Sequence, residues 1–200
     1  MKIVVGLGNP GKEYSRTRHN LGYLAVEEFC RRAGLRWSGS ECRCRTAKGR
    51  LGRERIVVAE PRTFMNASGE AVACLLERSG AEAVDLLVVC DDAALDLGTV
   101  RVRPSGSDGG HRGLRSIAQE IGTEQFPRLR IGIRTAETGR EGLADHVLSA
   151  FEGAEVGRAD EAVVRTAECI RVVLEQGLAI AMNRYNRRQP REPGEPPAAG

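Results

Sequence analysis

The chain has 200 residues, of which 41% are apolar and 28% charged, with a formal net charge of +3. That length closes one hydrophobic core without a second domain, and no apolar run approaches the roughly 20 residues of a membrane helix. With no basic-then-apolar leader before Ile3, the expectation is a cytoplasmic protein that does not engage a membrane.

The predicted elements begin with a strand at 2–6, followed by a helix at 20–33 that carries Leu21, Leu24, Ala25 and Phe29 on one face. Strands at 41–48 and 53–59, a helix at 67–79 and strands at 85–90 and 99–103 come next. A helix at 112–122, a strand at 128–133 and helices from about 142 complete the pattern. This alternation defines an α/β fold: a single domain with a central mixed β-sheet flanked by helices. The sheet is mixed because Gly49 and Gly52 mark a hairpin-like turn between the second and third strands. From Arg187 the chain has four prolines and no large apolar residue. The domain is therefore drawn at 1–186, with 187–200 as a Pro/Arg-rich disordered tail.

Charge is unevenly distributed. Basic blocks at 1–53 and 101–134 alternate with acidic blocks at 54–100 and 135–183. Basic blocks that converge in space make a face for an anionic partner such as nucleic acid, and a mixed solvated surface is the plain alternative. The six cysteines, Cys30, Cys42, Cys44, Cys74, Cys90 and Cys169, sit mostly in apolar contexts and are expected to be reduced and buried. No second close-spaced pair accompanies Cys42 and Cys44, so no metal site is expected.

Gly6-x-Gly8-x-x-Gly11 after the first strand matches the dinucleotide fingerprint in letters but not in context. The fingerprint opens its helix within the glycines and places an acidic residue roughly 20 positions on, at the end of the next strand. Here a polar segment at 12–18 intervenes, and Glu27 and Glu28 fall inside the predicted helix. A dinucleotide is not expected.

Of three histidines, His19 has the most informative company, in Thr17-Arg18-His19-Asn20 just behind the first strand. A neutral imidazole oriented by a carboxylate is a competent general base near neutral pH. Asp91, which ends the apolar run 86–90 at the expected carboxyl end of a core strand, is the first choice for that carboxylate. Asp92 and Asp96 compete, with turn formation as their plain reading. Asn66, in Thr63-Phe64-Met65-Asn66, is either a helix cap or a carboxamide that holds substrate. The loop at 105–110 leads into His111 and Arg112, and Arg101 and Arg103 alternate on one strand face with Arg130 on a neighbouring strand. That spacing suits a phosphate clamp or an ordinary solvated edge. Ser15 and Ser68 lack the Gly-x-Ser-x-Gly elbow of a nucleophile.

Taken together, these motifs resemble the bacterial peptidyl-tRNA hydrolase family. Gly-Leu-Gly-Asn-Pro-Gly-x-x-Tyr, Thr-Arg-His-Asn, Thr-Phe-Met-Asn-x-Ser-Gly, an Asp closing Leu-Leu-Val-Val, Gly-Gly-His-x-Gly-Leu and Arg-Leu-Arg-Ile-Gly-Ile occur in register from Met1 to about Tyr185. The resemblance implies a monomeric, metal-free and cofactor-free enzyme that cleaves the ester between a peptide and the terminal ribose of tRNA. It implies His19 as general base, Asp91 as its orienting partner and Asn9 as a sensor of the blocked aminoacyl end. Asn66, Tyr14 and Phe64 become substrate contacts, with His111 and Arg112 beside them, and Arg101, Arg103 and Arg130 become contacts to the acceptor-stem phosphate. Two positions depart from the family: Arg112 stands where Asn is usual, and Asp92-Ala93-Ala94 replaces a common Glu-Leu-Asp. The alternative of another class is a noncatalytic RNA-binding relative, of the kind that serves in splicing.

Overall fold

Ile3, Val4 and Val5 are fully buried in β1 (Lys2–Gly6), as a strand covered on both faces requires. The computed structural model describes residues 1–135, 138 and 142–187. The expected tail at 187–200 lies outside the described residues except for Arg187. The remaining strands are β2 (Trp37–Glu41), β3 (Cys44–Leu51), β4 (Glu54–Pro61), β5 (Leu86–Asp96), β6 (Val100–Arg103) and β7 (Arg128–Arg134). Among the described residues they form one seven-stranded sheet in the order β2-β3-β4-β1-β5-β7-β6. β1 is parallel to β4 and β5, and β5 is parallel to β7, whereas β2–β3, β3–β4 and β6–β7 are antiparallel. The mixed α/β expectation holds.

The helices are α1 (Leu21–Ala33), α2 (Ser68–Ser79), α3 (Arg112–Ile121), α4 (Leu143–Leu148), α5 (Ala154–Gln176) and α6 (Leu178–Tyr185). α1, α5 and α6 share a core with Val4, Val58, Val89 and Leu129 on one sheet face. α2 and α3 share the other core with Ile3, Val5, Val88 and Cys90. Among the described residues no helix is long and apolar enough to cross a membrane. At Gly22 the first turn of α1 presses onto the sheet: an added Cβ would collide with the backbone of Leu7 and Val89. Only glycine permits that approach. It seats the turn before α1 directly over the exit of β1, where Leu7 N–H donates to Val89 O at 2.9 Å.

Several sequence expectations change. β2 was not expected, because Trp37-Ser-Gly-Ser-Glu41 has one large apolar residue and its alternation is weak; it survives as an edge strand paired with β3. The turn of the β3–β4 hairpin falls on Gly52, whose φ is +58°, while Gly49 lies inside β3 under Leu35. β5 runs on to Asp96, held by β7, so Asp91 lies within the strand rather than at its end. β1 nevertheless stops at Gly6 opposite Val89, which leaves the sheet open beside Asp91. The thiol expectation also needs correction. Cys42, in the β2–β3 turn, is joined by a disulfide to Cys74 on α2, across a Cα–Cα distance of 5.5 Å. Residues 32 apart in sequence give no hint of that proximity. Cys30, Cys44, Cys90 and Cys169 are buried free thiols as expected. Burial pushes Cys30, Cys44 and Cys169 up to about 12 and Cys90 upward as well.

Glu60, near the end of β4, is 1% exposed. Its Oε2 accepts from Arg45 Nη1 at 3.1 Å, while Oε1 has no partner among the described residues. Burial, and secondarily the charge of Glu27, pushes Glu60 from 4.5 up to about 7 against the pull of Arg45 and Arg62. Between those values the unfolded chain has released the proton and the folded chain still holds it, so stability falls as pH rises through that window and levels off above it. Glu60→Gln is expected to gain on the wild type across the window by up to about 3 kcal/mol. Urea unfolding at about pH 5 and about pH 8 checks this, and a constant difference between the proteins would contradict it.

Candidate active site

The connection from β1 to α1 carries the site on two short 3-10 turns, Lys12–Tyr14 and Arg18–Asn20, so no helix opens within the glycines. Asn9 and Asn20 lock that connection to itself. Asn9 N–H donates to Asn20 Oδ1 at 2.8 Å, and Asn20 Nδ2 donates back to Asn9 O at 3.0 Å. The Asn9 side chain accepts Met65 N–H through Oδ1 at 2.8 Å. A backbone N–H only donates, so the amide orientation is fixed and Asn9 Nδ2 faces the cavity as a donor.

Asp91 joins two histidines. His19 Nδ1 lies 2.8 Å and His111 Nε2 3.0 Å from the same carboxylate oxygen, Oδ1. His111 is also the N-cap of α3, where its Nδ1 accepts from Gly113 N–H at 3.1 Å and Leu114 N–H at 3.3 Å. That acceptance leaves Nδ1 unprotonated, so the His111 proton is on Nε2 and is donated to Asp91. In turn His19 donates from Nδ1, which leaves its Nε2 lone pair available as a base. The two rings are 4.9 Å apart between centroids. Burial would raise the Asp91 carboxyl, but the attraction of His111 and His19 when they carry a second proton, together with the hydrogen bonds both donate, outweighs it and holds the group well below the usual carboxylate range. Asp91 is thus ionised throughout the neutral region.

A cavity of about 710 Å³ opens over this pair. Asn9, Tyr14, His19, Phe64, Asn66, Asp91, His111, Arg112, Arg103 and Arg130, each singled out in the sequence, all line it. Arg101 does not. It shares the sheet face of Arg103 and pairs across strands with Arg130, but its Nη1 donates to the carbonyl oxygens of Val100, Tyr185 and Arg187. Arg130 is ion-paired with Asp92, and Asp96 with Arg134, so both competitors of Asp91 are engaged elsewhere. Asn66 is exposed and α2 starts without a side-chain cap, so the capping alternative for Asn66 is not realised.

Three contributors escaped the sequence reading. Arg128 lines the cavity and fastens the 105–110 loop by donating to Ser107 O at 2.9 Å, with a second bond to Glu124 O at 2.9 Å. Its period-two spacing from Arg130 was the available signal. Asn20, the last residue of Thr17-Arg18-His19-Asn20, gives no sign in the sequence of its reciprocal bonds to Asn9. Leu143, Val147 and Leu148 of α4 form an apolar wall, with Leu143, Leu148 and Phe64 well exposed at the cavity; the helix is expected from about 142, but its place beside the site depends on tertiary packing.

His19, Asp91 and His111 bring three potential ligand atoms within 4.8 Å of one another. The proton inventory works against a cation there. With His111 Nδ1 already accepting two amides, metal binding at Nε2 would require an imidazolate or loss of the cap. The trio is wired as a hydrogen-bonded relay of orientation.

A buried carboxylate within β5 that sets the tautomer of a histidine, beside the end of β1 and an arginine-bearing rim, is an arrangement with which hydrolases of α/β fold activate water. The chain's relatives narrow that class. The peptidyl-tRNA hydrolase family model matches residues 3–193. A peptidyl-tRNA hydrolase of Dehalococcoides mccartyi is 44% identical over 188 residues, covering 93% of this chain and 100% of that protein. One from Chloroflexus aggregans is 43% identical over 187 residues, covering 93% and 99%. Among solved structures, a peptidyl-tRNA hydrolase in complex with N-propanol superposes with a TM-score of 0.87 at 29% identity, covering 96% of this chain and 97% of that one. The enzyme from Acinetobacter baumannii gives 0.84 at 29% identity, covering 93% and 94%. The chain belongs to the peptidyl-tRNA hydrolase family.

His111→Ala removes a cap from two α3 amides and a donor to Asp91; the cap alone contributes about 0.5–2 kcal/mol of unfolding free energy, and His111→Asn is expected to restore that part because an asparagine oxygen also caps. Urea unfolding measures both. Wild-type stability of the alanine variant would show that the cap is not made.

Proposed function

We propose that this protein hydrolyses the ester joining a peptide, or another N-blocked aminoacyl group, to the 3′ end of tRNA, with His19 as general base. The observation that carries the reading is the Asp91 carboxylate bonded to His19 Nδ1, which leaves Nε2 basic and turned to the cavity. Water held by Nε2 attacks the ester carbonyl carbon as its proton passes to the ring. The tetrahedral intermediate then collapses, the bond to the ribose oxygen breaks, and the imidazolium returns the proton to that oxygen. The products are a free carboxyl-terminated peptide and tRNA. Asp91 remains ionised and steadies the imidazolium, as an orienting carboxylate does in hydrolytic triads. A general base contributes about a hundred- to ten-thousandfold, and donors to the developing oxyanion add to it. Asn9 Nδ2, fixed toward the cavity, suits that role or the reading of the blocked amide, with Asn66 beside it.

The rim supports a polyanionic substrate. Arg103 and Arg112 line the cavity with no ion pair among the described residues, and Arg130 lines it with Asp92 as its partner. These cations suit the acceptor-stem phosphates, Tyr14 and Phe64 suit the peptide or terminal base, and His111 with Arg112 flanks the scissile region. Because Arg101 is directed to the C-terminal carbonyls, Arg103 carries more of the phosphate role than the strand spacing alone suggested. A monomer acting in the cytoplasm on free peptidyl-tRNA belongs to the same proposal. The assembled His19–Asp91 pair favours catalysis over a noncatalytic RNA-binding role.

Single-turnover release from N-acetyl-aminoacyl-tRNA, run beside the unblocked aminoacyl-tRNA, tests the reading. The expected result is rapid cleavage of the blocked substrate alone, reduced at least about a hundredfold in His19→Ala with tRNA affinity retained. Tight tRNA binding by the wild type without cleavage would contradict it.

A further inference from the structure

Arg18 is an unusual neighbour for a catalytic base: a charged side chain that is 6% exposed, pointing into protein on the far side of the His19 turn. Its Nη2 donates to Glu155 at 2.7 Å, in the first turn of α5, and its Nε donates to Ser149 Oγ at 3.0 Å. The guanidinium carbon lies 4.6 Å from the centroid of the Phe151 ring. The backbone follows the side chain, since Arg18 N–H donates to Ser149 O at 3.0 Å and Thr17 forms an isolated bridge with Ala150. Ser149 closes the C-terminal end of α4, and its hydroxyl donates to His146 O at 2.8 Å. α4 is the apolar wall of the cavity.

We infer that Arg18 is a positioning residue: one buried guanidinium ties the turn that carries His19 to the end of α4, fixing the distance between the base and the wall that a substrate's peptide would meet. The inference rests on the proposed role of His19. Three features of arginine are used together, the fork that spans Ser149 and Glu155, the permanent charge and the flat face on Phe151. A lysine reproduces only the charge. Burying a cation is unfavourable unless it is paired, and Nη1 has no hydrogen-bond partner among the described residues. A hydrophobic residue would fill this site at less expense in desolvation, which argues that the contact serves geometry.

The test compares Arg18→Ala, Arg18→Lys, Glu155→Gln and Ser149→Ala with His19→Ala in the intact protein. The readouts are kcat and KM for N-acetyl-aminoacyl-tRNA, affinity for deacylated tRNA, and melting temperature. Misplacement of a reacting group by about 1 Å reaches about a hundredfold in rate. The expected result is a fall in kcat of about tenfold or more for Arg18→Ala in folded protein, a smaller fall for Glu155→Gln and incomplete rescue by Arg18→Lys. Deacylated tRNA affinity should change less than about twofold, because the rim arginines are untouched. Should Arg18→Ala fail to fold, Glu155→Gln and Ser149→Ala carry the test. Lower melting temperatures with unchanged kcat across the series would overturn the inference and leave Arg18 as a fold residue. Full activity in His19→Ala would instead overturn the reading of the base, whatever the Arg18 series does.

Discussion

One carboxylate oxygen organises the site. Asp91 Oδ1 accepts from two imidazoles, and because His111 is committed through its other nitrogen to capping α3, the protonation pattern of all three groups is determined. The arrangement converts a structural requirement, a helix that needs its first amides satisfied, into a chemical one, a base with its lone pair outward. Burial strengthens the interaction. In a low-dielectric pocket an unpaired carboxylate would be costly, and the two donors on Asp91 keep it ionised at the floor of the cavity.

The fold supplies the closeness this requires. Gly22 lets α1 ride directly on the backbone of Leu7 and Val89, so the turn before α1 drops His19 onto the open edge of β5. The reciprocal bonds between Asn9 and Asn20 stiffen the same turn, and Met65 N–H fixes the Asn9 amide from the α2 side. Segments from four parts of the chain meet there. The site is therefore rigid where bonds are made and apolar or cationic where a substrate would lie. The Cys42–Cys74 disulfide closes the span that contains β3, β4 and the Phe64–Asn66 segment of the cavity wall.

Much of this was legible in the sequence. Fully apolar runs such as Ile3–Val5 and Leu86–Cys90 announce buried strands, and the polar cluster after the first of them locates the site. The His19–Asp91 pairing was readable as residue types in company, although Asp91 was placed at a strand end when β7 in fact prolongs β5 past it. The rest depended on tertiary contact. β2 has little propensity of its own and exists because β3 offers an edge. Cys42 and Cys74 are brought together by a turn and a helix that no spacing rule relates. Arg101 and Arg103 share a strand face, yet Arg101 turns to carbonyls near the end of the described chain, which the alternation could not foresee. The double use of His111 was invisible for the same reason, since one ring links a helix start to a distant strand.

The account turns on the tautomers of two rings, and long-range proton–nitrogen NMR correlations of the imidazoles at neutral pH observe them directly. His19 should carry its proton on Nδ1 and His111 on Nε2, with assignments made by His19→Ala and His111→Asn. A His19 protonated on Nε2, with Nδ1 bare against Asp91, would contradict the account, because the nitrogen facing the cavity would then hold a proton instead of the lone pair a base requires.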